Sequence, residues 1–150
     1  MLSVFIDGAS RGNPGPSSIG IIITRQKAQI SRFNEFLGNM TNNQAEYHAL
    51  KRALQITQYM SRNVIIMSDS NLLINQRKNK YKVRNAELKV ISREISNLEN
   101  LFDSVKYKYI PRKENHLADM EANLALDHYL KYEYRIMTDG SDEDSELFES

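Results

Sequence analysis

The sequence predicts one α/β domain: a mixed five-stranded sheet, with a three-stranded antiparallel meander plus two parallel strands, flanked by helices. Three observations carry this. Strand-like runs at 4–7, 19–24 and 29–37 follow one another with short links, as in a meander. After residue 41 the apolar spacing alternates between helical and extended, which adds parallel strands through helical crossovers. The chain has 150 residues and is 41% hydrophobic, which fits a single core.

The first run, Val4-Phe5-Ile6, ends on Asp7. Residues 7–20 carry Gly8, Gly12, Asn13-Pro14-Gly15-Pro16 and Gly20, which reads as a turn region. The link Arg25-Gln26-Lys27-Ala28 makes a hairpin of the second and third strands. Thr41 or Asn42 can cap a helix whose apolar period continues to about Met60. Val64-Ile65-Ile66-Met67 reads as a strand buried on both faces. A short helix is expected over 71–76. A longer one follows over 86–102, with Leu88, Ile91, Ile95 and Leu98 at helical spacing. Residues 105–110 alternate as a fifth strand, and 114–129 return to helix. A helical crossover joins the meander to the fourth strand, so the first and fourth strands are expected side by side.

Composition removes several chemistries. The chain has no Cys, which excludes disulfides, thiolate catalysis and Cys-ligated zinc and fits a cytoplasmic setting. No apolar run reaches the ~18 residues of a membrane span, so no membrane partner is expected. The start, Met1 to Asp7, lacks a basic segment and a cleavage site and reads as a strand. The net charge of +1 conceals an asymmetry. Residues 138–150 hold six acids and no Lys or Arg, leaving 1–137 at +7. A basic body suits a polyanionic partner, although it also suits solubility. The domain is therefore assigned to 1–137. The tail, 138–150, is expected to be acidic and disordered, despite the Asp-Gly echo in Thr138-Asp139-Gly140-Ser141. Leu147-Phe148 leaves two readings for it, a peptide that docks a replication or repair protein and a plain solubilising tail.

Four acids carry the chemistry. Asp7 and Asp69 each end an apolar strand; parallel neighbours would set both carboxylates at the carboxyl ends of the sheet, where open α/β sheets place ligands. Glu46 shares a helix face with Ala49, Leu50 and Ala53, where a charge is costly unless paired or metal-bound. Asp119 stands in the first turn of the last helix. Singly, each has a plainer role: Asp7-Gly8 fits a turn, Asp69 or Ser70 fits a helix cap, and Asp119 complements a helix dipole. Together they make an all-oxygen site without His or Cys, which favours Mg²⁺ or Mn²⁺. Two such ions roughly 3.5–4 Å apart serve phosphoryl chemistry.

Four segments, in order, resemble the motifs of type 1 ribonucleases H: Asp7-Gly8-Ala9-Ser10-Arg11-Gly12-Asn13-Pro14-Gly15, Thr41-Asn42-Asn43-Gln44-Ala45-Glu46, Ser68-Asp69-Ser70, and Ile110 to Asp119. The resemblance implies a ribonuclease H fold and a catalytic metal tetrad of Asp7, Glu46, Asp69 and Asp119 holding two Mg²⁺ ions, with Mn²⁺ a possible substitute. It implies hydrolysis of the RNA strand of RNA–DNA hybrids to 5′-phosphate and 3′-hydroxyl ends, with a role in clearing primers and hybrids in replication and repair; a monomer is the default expectation. Asn13, Asn42 and Asn43 match positions that contact the minor groove, where a short amide can meet a 2′-hydroxyl. Thr41 and Asn85 match a pocket for a DNA-strand phosphate, with Arg77, Lys78, Lys80, Lys82 and Arg84 close by in sequence. Double-stranded RNA stays open as a further substrate. The chain departs from the family pattern in two places. The loop before Asp119 is short and lacks the usual His, with Arg112 or Glu114 as candidate stand-ins, and no Trp-rich basic handle lies between Asp69 and Phe102. Two other readings remain: a binding module of the same fold, and a transposase- or resolvase-like nuclease.

Overall fold

The computed structural model has the element order β1 (Leu2–Ser10), β2 (Gly15–Arg25), β3 (Ala28–Met40), α1 (Asn42–Thr57), β4 (Asn63–Ser68), α2 (Asn71–Arg77), α3 (Ala86–Glu99), β5 (Ser104–Tyr109), a 3-10 turn (Arg112–Asn115) and α4 (His116–Glu149). It describes residues 1–149, with side chains through Met137; the expected disordered tail, 138–150, lies outside the fully described residues.

The sheet order is β3-β2-β1-β4-β5. β1 and β3 flank β2 antiparallel, while β1, β4 and β5 run parallel, as the meander and crossovers predict. Alternate residues face opposite sides. Leu2, Val4, Ile6, Ile19, Ile21 and Ile23 join Val64 and Ile66 in one core with Ala49, Leu50, Ala53 and Leu54 of α1 and Ile91 and Ile95 of α3. The other face of the meander is covered by α4, which packs on β1, β2 and β3.

Two expectations need correction. The stretch 7–20 is not one long turn: β1 runs on to Ser10 and β2 starts at Gly15. Its glycines serve close packing as well as turning. A β-carbon on Gly8 would lie 2.5 Å from the Glu46 amide nitrogen, and one on Gly20 would lie 2.6 Å from that of Ala122. β4 is not buried on both faces. Val64, Ile66 and Ser68 are buried, but Ile65 and Met67 are half-exposed, because α4 crosses β1 to β3 and leaves that side of β4 partly uncovered. The hairpin at 25–28 holds, with Gln26 and Lys27 both at positive φ (52° and 66°), the geometry of a tight two-residue turn. Among the described residues no helix is long and apolar enough to cross a membrane.

Candidate active site

The acids meet because of strand register. β1 and β4 pair in parallel with Phe5 beside Met67, so two residues on, Asp7 comes beside Asp69. Asp69 is not the cap of α2. Ser70 is, its hydroxyl accepting from the Leu73 amide at 3.3 Å, and Asp69 is left to face the cleft. Glu46 arrives from α1, whose start is fixed by a capping box: the Thr41 hydroxyl accepts from Gln44 N at 3.2 Å, and the Thr41 N–H donates to Gln44 Oε1 at 2.9 Å. One turn on, the missing side chain of Gly8 lets α1 lie against β1, with the backbone of Ala45 and Glu46 against the strand.

Carboxylate oxygens of Asp7, Glu46 and Asp69 all lie within 4.8 Å of one another, a group that can hold a metal ion. Asp119 lines the same cleft and its charge acts on Asp7, but it stands outside that tight triad. Burial, then the charges of Asp69 and Asp119, push the Asp7 carboxyl up to about 8. Glu46 is raised well above the ordinary carboxylate range, by burial first and then by Asp7 and Asp69. Asp69 is raised by burial, against the opposing pull of the Arg112 guanidinium. Glu46 Oε2 is buried with no hydrogen-bond partner. A pure protein would not choose this arrangement, since three crowded carboxylates repel and a buried oxygen goes unsatisfied. A divalent cation corrects both faults, so the donor set fits a hard metal ion.

The candidate substrate residues fall into two neighbouring clefts. Asn42 lines the acid cleft together with Arg11, Tyr109 and Arg112. Asn13, Thr41, Asn43 and Asn85 line a second, beside Gln44 and Glu87. Asn13 Oδ1 accepts from the Asn42 N–H at 3.0 Å, tying the two clefts together. Asn85 caps α3, its Oδ1 accepting from Leu88 N at 3.1 Å. Of the two stand-ins for the loop His, Arg112 lines the acid cleft and Glu114 does not. His116 turns its Nδ1 to the Lys113 carbonyl at 3.3 Å.

Sequence reasoning missed Gly20, Asn115 and Asn123. Asn115 is buried and donates from Nδ2 to the Ile6 carbonyl at 2.8 Å, pinning the turn before α4 to the strand that ends in Asp7. Asn123 donates to Asp119. The available signals were faint: an Asn four residues before Asp119 and another four after it.

The sheet order and the carboxylate centre at its strand ends define a ribonuclease H-like domain. A family model described as reverse transcriptase-like matches residues 5–125. Ribonuclease HI of Halobacterium salinarum is 33% identical over 125 residues, covering 82% of this chain and 63% of that protein. The crystal structure of RNase H1 from that archaeon superposes with a TM-score of 0.82 at 32% identity, covering 85% of this chain and 98% of the other. LC11-RNase H1, in complex with RNA/DNA hybrid, also gives 0.82, at 33% identity over 87% of this chain and 99% of the other. The bifunctional protein Rv2228c of Mycobacterium tuberculosis is 31% identical over 124 residues, 81% of this chain. This chain spans only 34% of that protein's length. The chain belongs to the ribonuclease HI family.

Proposed function

We propose that this chain hydrolyses the RNA strand of RNA–DNA hybrids at a divalent-metal centre, leaving 5′-phosphate and 3′-hydroxyl ends. The observation that carries this is the triad of Asp7, Glu46 and Asp69 with its orphaned Glu46 oxygen, set beside the asparagine-lined cleft. A polyanion-binding protein without chemistry gains nothing from acids aimed at its ligand. The similar LC11 structure, solved with a hybrid, supports the substrate class.

Asp7, Glu46 and Asp69 would hold Mg²⁺, with Asp119 completing a site for two ions; Mn²⁺ suits the same oxygens. When bound, the metal supplies a nucleophile at neutral pH and neutralises charge developing at the scissile phosphate. The protein's own part is placement. Asn13, Asn42 and Asn43 would donate to and accept from 2′-hydroxyls across a minor groove, selecting the RNA strand. Thr41 and Asn85, which line the second cleft, would contact the backbone of the other strand, where contacts position without reading sequence. Their side chains already cap α1 and α3, so the helix starts and the cleft are built from the same atoms. Arg112 supplies the cation beside Asp69. Residues 1–137 form the catalytic domain in this reading, working as a monomer in the cytoplasm.

Asp69→Asn tests the proposal: Mg²⁺-dependent cleavage of a hybrid should vanish while the circular dichroism spectrum stays that of the parent. Full activity in that variant refutes the metal role. Comparing hybrid, double-stranded RNA and branched DNA as substrates separates this activity from other nucleases of the fold.

A further inference from the structure

Asp7, Glu46 and Asp69 are brought together by register and by the approach of α1, but Asp119 has no such constraint. It stands outside the 4.8 Å triad, on a helix that reaches the cleft from the far face of the sheet. Something must aim it. Asp119, Asn123 and Asp127 lie at i, i+4 and i+8 and form one stripe along α4. Asn123 Nδ2 donates to Asp119 Oδ1 at 3.2 Å and to the Asp119 carbonyl at 2.9 Å. On its other side, Asn123 Oδ1 accepts from Arg11 Nη2 at 3.2 Å, and the same Nη2 pairs with Asp127 Oδ1 at 2.5 Å.

We propose that Asn123 is a positioning residue that aims the Asp119 carboxylate into the metal centre, and that Arg11 fixes which way the Asn123 amide faces. The inference rests on the nuclease reading above and adds two residues to it. A side-chain amide has two nearly isosteric ends, and its neighbours decide which way round it sits. A guanidinium can only donate. Facing Arg11, the amide must therefore present its oxygen, which turns its NH₂ to Asp119. Reversed, it would set oxygen against carboxylate and NH₂ against guanidinium, replacing two attractions by two repulsions. Asp127 holds Arg11 in place from the next turn of α4. Arg11 also belongs to the turn that carries Asn13, which hydrogen-bonds the start of α1. The turn that would meet the hybrid is thus the turn that sets the fourth carboxylate.

The test uses the full chain. Asn123→Ala removes both ends of the relay without changing charge. Its kcat should fall about 10- to 100-fold, the range for groups that orient metal ligands, while KM for the hybrid stays within about twofold. Mn²⁺ alone, titrated by calorimetry without nucleic acid, should bind more weakly by about the same factor. Arg11→Leu should reproduce the weakened Mn²⁺ isotherm, and Arg11→Lys should largely restore it, because an ammonium also only donates. Parental turnover and a parental isotherm in Asn123→Ala overturn the proposal. If that variant does not fold, the two Arg11 variants decide, and identical isotherms for Leu and Lys overturn it. A parent chain that binds Mn²⁺ but leaves the hybrid uncut removes the nuclease reading, while the isotherms still judge the positioning role.

Discussion

Asp7 and Gly20 face each other across the β1–β2 pair, and the space left by the absent side chain of Gly20 is filled by the first turn of α4. An acid of the candidate metal centre and the helix that brings the fourth acid are thus seated on adjacent strands at one level of the sheet.

Gly20→Ala should therefore damage the site without touching an acid. A β-carbon there would overlap the Ala118 carbonyl oxygen, one residue before Asp119, and lie 2.6 Å from Ala122 N, both of them backbone atoms that cannot rotate away. The expected loss is about 1–3 kcal/mol of stability, typical of overpacking. That corresponds to roughly 3–10 °C in Tm for a chain of this size. Thermal denaturation checks it, and an unchanged Tm would mean that α4 can slide freely on β2.

The crowded acids give the metal-free protein an unusual pH dependence. A carboxyl raised on folding stabilises the fold below its unfolded value and loses that stabilisation as pH climbs through the folded one. For Asp7 that window runs from 3.8 to about 8, and Glu46 is shifted in the same direction. With EDTA present, Tm should fall as pH is raised across this range, and Mg²⁺ should reverse the loss above neutrality, where ionised acids bind it. Glu46→Gln should flatten the slope and raise metal-free stability at pH 8 by about 1–3 kcal/mol, since replacing a poorly paired buried charge commonly stabilises. A flat Tm profile for the parent would contradict the buried triad.

Arg112 opposes the burial that raises Asp69. Arg112→Gln should raise the Asp69 carboxyl further and move the rising limb of the pH–rate profile to higher pH. A profile of unchanged shape, scaled down only in rate, would place Arg112 in contact with substrate instead.

Asn43 lines the cleft with Asn13, Thr41 and Asn85. Asn43→Ala should raise KM for the hybrid about 5- to 10-fold, the worth of one hydrogen bond of ~1 kcal/mol, with little change in kcat. Steady-state kinetics on a defined hybrid checks this; an unaltered KM would remove Asn43 from the interface.

The parts of this site legible in sequence are those that obey a local period. Asp7 and Asp69 end extended apolar runs, and Glu46 interrupts an apolar helix face whose neighbours Ala49, Leu50 and Ala53 are all fully buried. The place of the fourth strand beside the first followed from a connection rule. What escaped depends on approaches between segments far apart in the chain. Gly20 reads as punctuation until α4 is seen lying on it. Asn115 reads as a loop residue until its amide is found on the Ile6 carbonyl. Arg11 and Asn123 are 112 positions apart, and no periodicity links them. By residue type Thr41 and Asn42 are equal N-cap candidates, and only the hydroxyl-to-Gln44 geometry selects Thr41.

The hydrogen bond from Asn115 to the Ile6 carbonyl joins residues 109 positions apart. It has a temporal meaning as well as a spatial one. Made from its N-terminus, the chain delivers Asp7, Glu46 and Asp69 long before the turn and helix that bring Asp119. A growing polypeptide holds three acids that repel one another and lacks the clasp that seats the fourth. The four-acid cluster therefore forms only once the chain has been made through the first turn of α4, which carries both the clasp's neighbour and Asp119.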